Sequence, residues 1–172
     1  SGVVISLVPV PQDDDPSYEP LGPSTCAFCH PNQYEEWYGS PMNNAGVNTW
    51  VDDLFSGRGT AGGSGGFVYA RDSMFAATNP NSECASCHQP ELWISTPFAA
   101  LADPAVPRTP EVMHGISCEI WHKSADVDVS KINFPGIFPG AVTFTRPAGP
   151  EHHPVEYGLL GDVDFEHPSY MR

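Results

Sequence analysis

The chain has 172 residues, with 7 Lys+Arg against 21 Asp+Glu and a formal net charge of −14. So acidic a surface argues against a nucleic-acid or anionic-membrane partner, because both need a basic face, and it favours solubility and cationic partners. The 19 Pro and 16 Gly argue against long regular elements, so the fold calls for an organiser besides its own core: a disulfide, a metal or a large cofactor.

In chain order, residues 1–25 form an acidic, proline-rich, extended N-terminal segment ahead of a single domain over 26–172. Its apolar run, Val3 to Val8, is too short to span a bilayer and lacks the basic start of a signal peptide. The segment reads as a mature N-terminus, either an ordered surface strand or a strand that docks on another subunit. Residues 31–45 predict a short helix carrying Tyr34, Trp37 and Tyr38, broken near Pro41. The stretch "GRGTAGGSGG" at 57–66 predicts a flexible loop, and "ARDSMFAAT" at 70–78 a second short helix. Residues 90–112 are mixed and proline-rich, and 111–123 predict another short helix. "VDVSKI" and "AVTFT" predict two strands within 126–150, and the tail holds "EHHP" and "FEHP". No transmembrane helix is expected.

Four of the five cysteines form two like units, "CAFCH" (Cys26, Cys29, His30) and "CASCH" (Cys84, Cys87, His88). Disulfides would account for the pairs, and zinc could take two Cys-x-x-Cys units, but neither explains a His directly after each pair. Covalent haem c uses every part. The two thiols add to the haem vinyl groups and the next residue supplies the proximal imidazole, with the three-residue stagger bringing all three to one side of a helical turn. A haem is also a large apolar body that can act as core for a loop-rich chain.

A third stretch, "MHGISCEIWHK", keeps Cys118 and His122 at the same spacing but has Trp121 in the second thiol's place. Three explanations stand. A haem hangs on one thioether from Cys118 with His122 as proximal ligand; or the haem is lost and Trp121 fills its space; or a haem-bearing cysteine at position 121 has been read as a bulkier residue. With His30, His88 and His122 as proximal ligands, four of the 7 His remain: His114, His152, His153 and His167. Three six-coordinate haems need three distal ligands, which leaves His167 as the spare. His152 and His153, adjacent in an extended chain, point to opposite sides and suit two different haems; two solvated loop histidines are the alternative. His114 is too near Cys118 in sequence to serve the same haem. Met42 is either a thioether ligand or a packing residue.

Residues 24–123 resemble the multihaem c-type cytochromes of the hydroxylamine oxidoreductase and octahaem tetrathionate reductase superfamily. The resemblance lies in Tyr34, Trp37, Ser40, Met42 and Ala45 after the first unit, "ARD" at 70–72, and above all His114, Gly115, Cys118 and His122. It implies bis-His ligation with His114 as distal ligand to another haem. Trp121 and Met42 depart from the pattern. The chain is far shorter than the enzymes of that superfamily and lacks their further haem motifs, so the resemblance implies an electron-transfer module. Small multihaem proteins of similar style polymerise into extracellular filaments in which ligand histidines cross between subunits.

The sequence thus predicts a mostly irregular, haem-templated multihaem cytochrome with short helices and at most a small β-hairpin. It is expected to be exported to the periplasm or beyond, to hold three haem c groups and to pass electrons between redox protein partners. The filament, a homopolymer sharing haem ligands between subunits, and a reductase acting on a nitrogen or sulfur oxyanion at an open-site haem are the variants of that reading.

Overall fold

The computed structural model describes residues 4, 13–131, 141–149, 152 and 156. Among them are eight short α-helices: α1 (Pro23–Cys26), α2 (Pro31–Tyr38), α3 (Thr49–Ser56), α4 (Tyr69–Asp72), α5 (Cys84–His88), α6 (Pro90–Ser95), α7 (Pro110–Met113) and α8 (Cys118–His122). Strands β1 (Ser124–Val127) and β2 (Val142–Phe144) pair antiparallel. Proline seeds much of this architecture. α1, α2, α6 and α7 each begin on a proline, where the missing N–H costs nothing and φ is already helical. No helix among the described residues is long and apolar enough to cross a membrane.

The helix expected over 31–45 stops at Tyr38, with Gly39 as its cap and a 3₁₀ turn following at Ala45–Val47. The helix expected over 70–78 is the single turn of α4. The one expected over 111–123 is split by Gly115 into α7 and α8. The flexible loop at 57–66 has firm anchors. Asp53 accepts from the Thr60 N–H at 2.8 Å and from its hydroxyl at 2.6 Å, and Arg71 donates to the Ser64 carbonyl at 2.8 Å.

α3 is absent from the sequence reading. Asn48 caps it by accepting from the N–H groups of Trp50 and Val51, and Gly57 closes it with φ +73°. The two-stranded pairing is present, but its first strand lies at 124–127 rather than at "VDVSKI", because the chain enters the ladder directly on leaving α8. The Thr145 N–H donates to the Lys123 carbonyl and the Asp128 N–H to the Ala141 carbonyl, which fixes that register.

Among the described residues the apolar core cluster is small: Val51, Ala85, Trp93 and Leu101, with Phe55 and Cys84 packed against it. A polar mooring lies beside it. The Gly46 carbonyl accepts from Gln89 Nε2 at 3.1 Å and from Arg108, while Gln89 Oε1 accepts from the Ala102 N–H at 2.8 Å. Arg108 also pairs with the buried Asp52. A Cβ on Gly46 would lie 1.8 Å from the Val112 carbonyl oxygen, so only glycine lets the 45–47 turn rest on α7.

The described part of the N-terminal segment is tied to the rest of the fold. Tyr18 is buried, and Asp14 accepts two bonds from the Arg146 guanidinium. Burial pushes the Asp14 carboxyl up, but the Arg146 hydrogen bonds and charge outweigh this and hold it below its ordinary 3.8. A lowered carboxyl contributes stability above its unfolded value and loses it as pH falls through the folded one. Asp14→Asn is therefore expected to cost roughly 1 kcal/mol in urea unfolding near neutral pH. The difference from the wild type should vanish well below pH 3.8.

Candidate functional site

The second Cys-x-x-Cys-His unit coincides with one helix, α5, which runs from Cys84 to His88. Cys84 is half-buried against the core, and Cys87 is exposed. Ala85, fully buried, pins the turn from below. The His88 ring sets Nδ1 against the Ala45 carbonyl oxygen at 3.3 Å. A carbonyl can only accept, so in the neutral imidazole Nδ1 carries the hydrogen and the lone pair is on Nε2. The 3₁₀ turn at 45–47 thus holds both His88 and the following Gln89.

α8 repeats this layout from Cys118 to His122 over the same five residues. His122 is half-buried, while Trp121 is 60% exposed and so fills no interior space among the described residues. The first unit makes the same turn at the end of α1. The N–H groups of Cys29 and His30 both donate to the Cys26 carbonyl, at 3.2 and 2.9 Å. His30 is exposed and caps α2, as Gln89 caps α6 one position later in its own unit. Beside the cysteines lie exposed apolar side chains: Phe28 inside the first unit, 92% exposed, and Trp121 inside the third.

The third unit is fastened to the first. Trp37 Nε1 donates to the Ile116 carbonyl at 2.7 Å, and the Ile116 N–H donates to the Met42 carbonyl at 3.0 Å. Gly115, at φ +59°, makes this possible, since a Cβ there would lie 2.4 Å from the Met42 carbonyl oxygen. Met42 thus takes part through its backbone, and its side chain is 45% exposed.

His114 donates or shares a proton from Nδ1 to Glu91 Oε2 at 2.9 Å, and its Nε2 lies 3.5 Å from where a Cβ on Gly22, four residues before Cys26, would stand. The hydrogen bond to Glu91 raises the His114 pKa above 6.5 against the opposing effect of burial. Glu91 is 2% exposed, and its Oε1 has no hydrogen-bond partner among the described residues. The arrangement suits either a buried ion pair or an imidazole oriented by a carboxylate for ligation through Nε2. His152 is half-buried and its N–H donates to the Gly149 carbonyl. His153 and His167 lie outside the described residues.

The sequence reading passes over the polar network that supports α8. Glu119, buried, accepts from the Tyr18 hydroxyl at 2.6 Å and from the Leu21 N–H at 2.8 Å, and it pairs with the buried Lys123. Lys123 also reaches Glu156 at 3.2 Å. Burial pushes the Glu156 carboxyl up to about 7, against the attraction of Lys123. A raised carboxyl makes the folded state hold a proton that the unfolded state has lost, so stability falls as pH rises from 4.5 to about 7. Glu156→Gln is expected to flatten that decline, read as urea-unfolding free energies between pH about 5 and about 8.

Among the described residues, no three His, Cys, Asp or Glu side chains converge as a metal-ion cage. The two Cys-x-x-Cys units therefore do not close one tetrahedron. A haem iron asks for two axial donors per site, of which α5 and α8 each offer one imidazole, His88 and His122. Comparison with protein-family models, with curated proteins and with solved structures finds no match.

Proposed function

We propose that the chain is an electron-transfer protein with covalently attached c-type haem at three places. These are Cys26/Cys29 with His30, Cys84/Cys87 with His88, and, through a single thioether, Cys118 with His122. The observation that carries this reading is the second unit. Two thiols and an imidazole share one five-residue helix, and the imidazole has its Nδ1 hydrogen committed to the Ala45 carbonyl, so that Nε2 is the donor atom. The like helix of the third unit, the exposed Phe28 and Trp121 beside the cysteines, and the small core support it: an apolar plate bonded there would cover those side chains and enlarge the core.

When bound, haem iron supplies one-electron ferric/ferrous chemistry. The chain's part is to hold and orient. The Ala45 carbonyl fixes the His88 tautomer, and Glu91 does the same for His114, a distal candidate placed beside the first unit. His152, His153 and His167 are the other distal candidates. Attachment through thioethers fits an exported protein, periplasmic or extracellular, with redox proteins or further copies of itself as partners.

A visible spectrum of the purified protein tests the proposal. A Soret band, with a sharp α band on reduction, is expected; a colourless protein overturns it. Adding nitrite or hydroxylamine is expected to leave the spectrum unchanged, whereas a shifted band would favour the reductase variant.

A further inference from the structure

Glu91 is the second residue of α6 and is buried, and among the described residues its Oε1 has no hydrogen-bond partner. A buried carboxylate with one oxygen unpaired costs folding free energy, so stability alone does not account for its place. Its other oxygen holds His114 Nδ1 at 2.9 Å. The opposite ring nitrogen, Nε2, makes no hydrogen bond to a described residue and lies 3.5 Å from where a Cβ on Gly22, the N-cap of α1, would stand. Two imidazoles thus have Nδ1 fixed, but by different partners. His88 faces the neutral Ala45 carbonyl at 3.3 Å, and His114 faces a carboxylate. We infer that Glu91 is a positioning residue that sets a reduction potential: its charge, acting through Nδ1 of His114, holds the haem that His114 ligates at a lower potential than a carbonyl-bonded imidazole would. The inference rests on the haem reading, with His114 as a distal ligand.

The chemistry runs through the ring. A carboxylate on Nδ1 keeps the hydrogen there and the lone pair on Nε2, the nitrogen turned toward the start of α1. An Nδ1–H that donates to an anion also gives the imidazole partial imidazolate character, so Nε2 passes more charge to a metal and favours its higher oxidation state. Burial makes the effect count, because solvent and salt would screen the charge of an exposed carboxylate. Glu111 and Glu119 act on the same ring in the same sense, and Glu91 is the one in direct contact. Electrons are thereby biased away from the haem on His114 and toward a haem whose ligand is carbonyl-bonded, as His88 is.

Spectroelectrochemical titration of the purified, haem-loaded chain tests this. Glu91→Gln keeps the shape and an acceptor oxygen but removes the charge. In that variant one midpoint potential is expected to move to a more positive value, with the haem count and the Soret maximum of the wild type. Asp126→Asn removes the same charge from an exposed site and is expected to leave every midpoint in place. Unmoved midpoints in Glu91→Gln, or an equal movement in Asp126→Asn, would overturn the inference. Should Glu91→Gln fail to fold, a crystal structure of the haem-loaded wild type decides. His114 Nε2 on iron with Nδ1 still on Glu91 is expected, and the loss of either contact would overturn the inference. A chain with no haem would overturn the haem reading beneath it, and the haem count tells that failure from an unmoved midpoint.

Discussion

Replacing Cys118 with Ser is expected to lower the covalently bound haems per chain from three to two. Cys118 offers the only thiol in its unit, because Trp121 stands where the other units have a second cysteine. Without it, His122 still offers an imidazole at the end of α8, but a haem held by iron ligation alone is extracted by acidified organic solvent, whereas a thioether survives. The measurement is therefore haem remaining on the denatured polypeptide. Trp121→Cys is the complementary change. It should leave three haems, and the pyridine haemochrome α band should move to shorter wavelength as the last free vinyl group leaves conjugation. Trp121 is 60% exposed, so this substitution removes little packing among the described residues. An unchanged haem count in Cys118→Ser would remove the third site from the account.

Gly115→Ala is expected to be a strongly damaging single-methyl change near the site, lowering stability by on the order of 2–4 kcal/mol. Two costs combine. The backbone at φ +59° disfavours an L side chain, and the added Cβ would meet the carbonyl oxygens of Met42 and Asn43 at 2.4 and 2.7 Å. Both obstacles are backbone, so neither can rotate away. The strand of contacts that yields is the one joining the first unit to the third, Trp37 to Ile116 and Ile116 to Met42. The variant should unfold at lower denaturant than the wild type with an unchanged slope. Equal midpoints would show that the 114–117 segment is not held as described.

The candidate site was more legible than the fold around it. Cys-x-x-Cys-His is a local pattern; α5 spans one such unit from first cysteine to histidine, and α8 spans its Cys-x-x-Trp-His counterpart. His-Gly ahead of Cys118 was readable as a frame, and the structure adds its reason: Gly115 lets the chain turn into contact with Met42. What depended on distant residues was not legible. Nothing in the sequence near His114 announces Glu91, because tertiary packing alone makes them neighbours. α3 failed for a different reason. Its local signals, the Asn48 cap and the Gly57 stop, were present, but the run between them mixes Trp50, Asp52 and Asp53 and shows no clean apolar period. The shift of β1 toward α8 shows the same limit. Alternation suggested a strand at 127–132, whereas the register follows from where α8 delivers the chain to β2.

Intact mass under denaturing conditions counts the covalently attached haems. The mass of the polypeptide, with Trp at position 121, plus three haems is expected. An excess of two haems would rule out attachment through Cys118, and a mass with no haem would rule out covalent haem at all three units.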